Sequence, residues 1–210
     1  MFLRRISTVV AAVILCVRVA NCPAQAAVVP ENTRQAGTQD AAFRGGLVTP
    51  PLPKPEFTLT DTSGAKFNFK SRTDGQVTLL YFGFVHCQSV CPAQMTYLSS
   101  AMRSLPQQVR DQVKVVFVTT DPDSDNPRLL RTWLNHFDKS FIGLTGSSAE
   151  IQQAESAAKL PRTIKPAEHA AFVVAYTKDN LGHVIYPAGV NQADWLHDLP
   201  RLVNATWRDR

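Results

Sequence analysis

A mostly apolar run at residues 77–84 (VTLLYFGF) leads directly into two cysteines, Cys87 and Cys91, and then into a helical pattern. The run is rich in β-branched and aromatic residues and reads as a buried strand, broken by Gly83. Beyond the cysteines, Met95, Leu98, Met102 and Leu105 recur at three- and four-residue spacing, the apolar stripe of an amphipathic helix. Pro92 suits the first helical position, where its missing N–H would have had no partner. Two thiols thus sit at a strand-to-helix turn, facing the positive end of a helix dipole.

The remaining cysteines separate from this pair. Residues 1–26 carry Arg4 and Arg5, an apolar stretch over 6–17 and the small-x-small run Ala24-Gln25-Ala26, the pattern of a secretory signal. The alternative is an uncleaved membrane anchor, although Arg18 interrupts the stretch well short of the ~20 residues that a comfortable span needs. Cys16 and Cys22 lie in this segment, so the exported protein keeps only Cys87 and Cys91. The segment also holds three of the 22 basic residues and no acid, which leaves 19 basic against 17 acidic residues. No basic stripe remains to suggest nucleic acid.

Residues 27–55 carry Ala, Gln, Gly and Pro with few large apolar groups, and read as a flexible tether stiffened at 50–55 (PPLPKP). A domain is expected over 56–210. Alternation at 57–60 and 66–70, with a turn at 61–64, predicts a hairpin. Residues 113–119 (VKVVFVT) predict a second buried strand. Asn126 and Pro127 start a helix striped by Leu130, Leu134 and Phe137. A short strand at 141–144 and a helix from Ser147 or Ser148 to about Leu160 follow. A hairpin over 170–186 and a helix over 192–206 close the chain. The order is an α/β layer plan.

A Cys pair four residues apart at a helix N-terminus has two uses. Thiolates there exchange with disulfides, or they bind a soft metal such as Cu(I). Two sulfurs are an incomplete metal site, so a third ligand is expected elsewhere. His86 adjoins Cys87 and shapes the loop more readily than it folds back onto the same ion. His136 and His197 read as surface or structurally satisfied residues, and His183 as exposed hairpin polarity. His169 ends an irregular loop just before the 170–176 strand, where an ordinary loop histidine is the alternative. Met95 and Met102 belong to the core stripe, and Trp133, Trp195 and Phe137 read as core anchors. Asp121, Asp123 and Asp125 read as turn and capping residues, lacking the glycine and distal Glu of a calcium loop.

Several pieces together resemble the SCO/SenC family of copper-binding assembly factors for cytochrome c oxidase. They are 57–61 (FTLTD) with Gly64, 81–92 (YFGFVHCQSVCP), 120–123 (TDPD) with Asp125 and Pro127, 141–146 (FIGLTG), and His169. The resemblance implies a thioredoxin-like α/β fold: a central mixed sheet flanked by helices, with an N-terminal β-hairpin. It implies Cu(I), with Cu(II) as the alternative state, held by Cys87, Cys91 and His169, with Asp121 and His86 beside the site. It further implies a periplasmic copper chaperone that delivers to the CuA site of cytochrome c oxidase subunit II and depends on a periplasmic thiol reductant. Contact with a membrane is expected only through an N-terminal anchor. Gln88 and Ser89 stand where the family usually has Pro and Asp, and Ser124 where a basic residue is frequent. The alternative function is a thiol–disulfide oxidoreductase or redox sensor using Cys87 and Cys91 without metal.

Overall fold

The structure, a computed structural model, describes residues 43–160 and 171–207. The expected signal segment 1–26, the tether up to residue 42 and His169 lie outside the described residues. The apolar run forms β4 (Val77–Gly83), in which every residue is buried. Burial on both faces explains why its sequence does not alternate: a central strand covered above and below reads as a continuous apolar run. Val77, Leu79 and Tyr81 enter one apolar cluster and Leu80 and Phe82 the other, as the period of two requires.

Parallel β5 (Val113–Thr119) lies on one side of β4, and β7 (Phe172–Tyr176) lies antiparallel on the other. Beyond β5 come parallel β6 (Ile142–Thr145), then β2 (Thr58–Asp61) and β3 (Lys66–Asn68), the expected N-terminal hairpin. Beyond β7 come β8 (Leu181–Pro187) and β1 (Gly46–Pro53), both antiparallel to their neighbours. The result is one mixed eight-stranded sheet in the order β1-β8-β7-β4-β5-β6-β2-β3.

Helices cover both faces. The cluster containing Tyr81 receives α2 (Val90–Ser104), α4 (Pro127–Asn135) and α6 (Gln192–Asn204) through Met95, Leu98, Met102, Leu130, Leu134, Trp195 and Leu199. The opposite cluster receives α5 (Ser148–Ala157) through Ile151 and Ala154, with Phe69 from the short α1 (Phe69–Arg72). A further short helix, α3 (Gln107–Arg110), joins α2 to β5. Local signals set the helix starts. Asn126 accepts from Leu129 N–H at 2.9 Å, and Ser147 with Glu150, like Asn191 with Asp194, completes a capping box. Trp195 is fully buried, with Trp133 and Phe137 packed partly buried against the same cluster. Among the described residues no helix is long and apolar enough to cross a membrane.

Three expectations need correction. The C-terminal part of the expected tether is strand β1, paired with β8 from Gly46↔Ile185 to Pro53↔Leu181. Its prolines are tolerated because β1 is an edge strand and Pro50 and Pro51 fall where its register against β8 shifts, between Leu47 and Leu52. Helix α2 begins at Val90, so Pro92 is its third residue, still within the turn whose N–H groups lack partners. His183 is buried rather than exposed: its Nε2 lies 2.8 Å from Asp179 Oδ2, and its ring stacks on Trp207.

Lys54 shows how firmly the β1 end is held. It is buried, and its Nζ donates to Thr73 O at 2.8 Å and to Gln76 O and Thr78 Oγ1 at 3.4 Å. Burial lowers its pKa from 10.5 to about 8, against the opposing pull of Asp74 and Asp179. Between those values the unfolded chain holds a proton that the folded chain has lost, so stability rises with pH. Urea unfolding should therefore show the parent gaining on Lys54→Met from pH 8 to 10.5. The two cysteines titrate in both proteins, so the difference isolates Lys54. A constant difference across that interval would refute the assignment.

Candidate metal centre

The sheet register places the chemistry. Strand β4 delivers the chain to the loop 84–89, and α2 carries it back over the face that Tyr81 and Gly83 share. Cys87 lies in the loop and is half-buried, while Cys91, the second residue of α2, is fully buried; neither is in a disulfide. The helix lacks an ordinary cap, since Ser89 occupies the N-cap position with no side-chain hydrogen bond. The Cys87 sulfur takes that place, accepting from Cys91 N–H at 3.4 Å. A sulfur bonded to the open N–H groups of a helix is stabilised as thiolate.

The two thiols differ sharply. Burial acts to raise the Cys87 pKa, but the backbone N–H groups of Cys91, Ser89 and Val90 and the Cys91 thiol outweigh it, leaving Cys87 below its ordinary 9.0. Burial pushes Cys91 up to about 12, with the Tyr81 hydroxyl opposing the rise and the Cys87 sulfur adding to it. The Tyr81 hydroxyl donates to Cys91 Sγ at 3.4 Å. Gly83 makes room for that sulfur: a Cβ there would lie 3.0 Å from both Cys91 Sγ and Phe117 Cε2. One thiol is therefore open and easily ionised, and its partner is sealed and kept protonated.

Asp125 secures the loop from beneath. This carboxylate is fully buried, and its Oδ2 accepts from Val85 N–H at 2.9 Å and from Thr119 Oγ1 at 2.7 Å. Its Oδ1 has no hydrogen-bond partner, and Nδ1 of the exposed His86 lies 3.6 Å away. Asp125 thus ties the β5–α4 loop to the two residues preceding Cys87.

The structure brings Cys87 and Cys91 together and sets His86 beside them through Asp125. Asp121 opens the same β5–α4 loop, its N–H bonded to Thr119 Oγ1 at 3.0 Å. Among the described residues no group of three or more His, Cys, Asp or Glu side chains could hold a metal ion. His169, the third ligand implied by resemblance, lies outside them. Sequence reasoning missed the site roles of Tyr81, Gly83 and Asp125. Tyr81 and Gly83 fall in an apolar strand and Asp125 in a turn, and only pairing such as Gly83↔Thr119 brings the three together.

A mixed sheet flanked by helices, with a dithiol at the start of the helix that follows a central strand, is a thioredoxin-like domain. The SCO1/SenC family model matches residues 49–204, and the chain belongs to that family. Yeast SCO2 of Saccharomyces cerevisiae, a mitochondrial protein, is 31% identical over 144 residues, covering 64% of this chain and 47% of that protein. Yeast mitochondrial SCO1 is 29% identical over 170 residues, covering 77% and 56%. The chain spans about half the length of the curated relatives it matches. Among solved structures, copper-bound ScoI of Bradyrhizobium japonicum aligns with a TM-score of 0.61 at 28% identity, covering 72% of this chain and 99% of that one. Apo Sco1 of Thermus thermophilus aligns with a TM-score of 0.66 at 27% identity, covering 77% and 97%.

Proposed function

We propose that this chain is an exported copper chaperone that holds Cu(I) through Cys87, Cys91 and His169 and passes it to the CuA site of cytochrome c oxidase subunit II. The observation that carries this reading is the pair of reduced thiols at the turn into α2, one open and one sealed, in a chain of the SCO1/SenC family. The copper-bound ScoI relative supports copper as the cargo. Thiolate and imidazole donors suit Cu(I), which accepts low coordination numbers. Transfer proceeds by ligand exchange: incoming donors displace the more accessible Cys87 first, while the buried Cys91 retains the ion until replacement ligands are in place. The pair binds metal only when reduced and deprotonated, so the cycle needs a thiol reductant. Residues 1–26 direct export, either cleaved or retained as an anchor, and the tether precedes the copper-binding domain. Gln88 and Ser89, both exposed beside Cys87, are where recipient choice would depart from other family members.

The test is anaerobic Cu(I) titration of the reduced protein against a chromophoric competitor. One Cu(I) per chain is expected, with His169→Ala weaker by at least about ten-fold, or 1.4 kcal/mol. Equal affinity in His169→Ala would overturn the three-ligand site. The asymmetry of the thiols also suits the second reading, a thiol–disulfide oxidoreductase. That reading wins if His169→Ala retains full cellular function while Cys87→Ser abolishes it.

A further inference from the structure

We infer that the Tyr81 hydroxyl is a catalytic hydrogen-bond donor for opening a Cys87–Cys91 disulfide, stabilising the Cys91 sulfur as it leaves. The inference rests on the proposed copper site, which loads only when this pair is reduced, but its chemistry and its test involve no copper.

The geometry assigns the two sulfurs to different steps. Cys87 is reachable from solvent and Cys91 is not, so an external thiolate can attack only Cys87 Sγ in line with the S–S bond. With glutathione as the reductant, a bond forms between the glutathione sulfur and Cys87 Sγ while the Cys87–Cys91 bond breaks. The electron pair of the broken bond leaves on Cys91 Sγ. A second glutathione thiolate attacks the glutathione sulfur of this mixed disulfide and expels Cys87 as thiolate. The protein disulfide gains two electrons and two glutathiones become glutathione disulfide. Of the two protons that the glutathione thiols release on ionising, one ends on Cys91 and the other stays in solution while Cys87 is thiolate.

The first step puts negative charge on a sulfur sealed between β4 and α2. Water cannot reach it, and the ring of Phe117 and the bare Cα of Gly83 line its seat. The Tyr81 hydroxyl, itself on a fully buried residue, donates to this sulfur at 3.4 Å. Its ring is fixed edge-on against Phe117, with centroids 5.7 Å apart, so the donor is already aimed when charge develops. A donor oriented in advance in a water-free site is the arrangement that stabilises developing anions most effectively. The helix N-terminus already serves the other sulfur, since the Cys91 N–H points at Cys87.

The test uses the full chain oxidised to the disulfide. Parent and Tyr81→Phe are mixed with reduced glutathione at neutral pH, quenched with acid, and the first mixed disulfide is quantified by mass spectrometry. Tyr81→Phe should form it about ten-fold more slowly, the effect of deleting one hydrogen bond to a charged group. Alkylation of Cys87 in the reduced protein should proceed at the parent rate, because that thiolate is stabilised by α2 and not by Tyr81. Reduction of Tyr81→Phe at the parent rate, or glutathione found on Cys91, overturns the inference. If Tyr81→Phe does not fold, fluorotyrosine supplies the second arm, as a stronger donor of nearly the same volume. Only Tyr81 among the described tyrosines donates to a sulfur, so fluorotyrosine should accelerate the step, and an unchanged rate also overturns the inference. Failure of copper binding would leave these rates untouched, so the two proposals fail separately.

Discussion

Asp125→Ala is expected to destabilise the protein by about 2–4 kcal/mol, since it orphans one buried donor, which costs about 1–3 kcal/mol, and one partly buried donor, which costs less. Those donors are the Val85 N–H and the Thr119 hydroxyl, both bound to Asp125 Oδ2. Asp125→Asn should behave differently, because its amide oxygen can accept from both while the buried charge disappears. Burial raises the Asp125 pKa above 3.8, opposed by the Thr119 and Val85 hydrogen bonds; Asp121 adds to the rise and His86 opposes it. Between 3.8 and the raised value the folded chain holds a proton that the unfolded chain has lost. The parent therefore loses stability as pH climbs through that window, then levels off. Asp125→Asn carries no such penalty, so its stability relative to the parent should rise over the same window and reach a plateau above it. Urea unfolding across pH checks both substitutions. A parent that gained on Asp125→Asn with rising pH would refute the assigned direction.

Gly83→Ala is expected to cost about 1–3 kcal/mol, the usual penalty for forcing a methyl group into a filled core. The new Cβ would press on Cys91 Sγ and Phe117 Cε2, each at 3.0 Å. Neither can retreat freely: both residues are fully buried, and Phe117 is wedged between Tyr81 and Trp133 at centroid distances of 5.7 and 5.0 Å. The backbone is held as well, since Gly83 O accepts from Thr120 N–H at 2.7 Å. The sulfur should therefore shift, and thiol reactivity should change together with the unfolding midpoint. A variant with parent stability and parent Cys91 reactivity would show that the seat is looser than these distances imply.

Much of the architecture was legible because the signals were local. An apolar run, a proline near a helix start, an Asn-Pro cap and a Ser-x-x-Glu box each act within one or two turns, and each element formed close to its expected place. The prolines of β1 misled for the same reason. They argue against a central strand, and nothing nearby in sequence announces the edge of β8 waiting more than 120 residues away. His183 was misjudged because its partners, Asp179 and Trp207, approach it from a turn and from beyond α6.

The sequence by itself determined that two thiols would meet at the start of a helix after a buried strand, because four-residue spacing and a helix N-terminus are properties of a short stretch. It could not say that one thiol would be open and the other sealed. That difference arises where Tyr81 and Gly83 from β4 and Phe117 from β5 converge on the Cys91 sulfur beneath α2. Burial and hydrogen bonding depend on which distant residues arrive at a sulfur, and only the folded sheet brings them there.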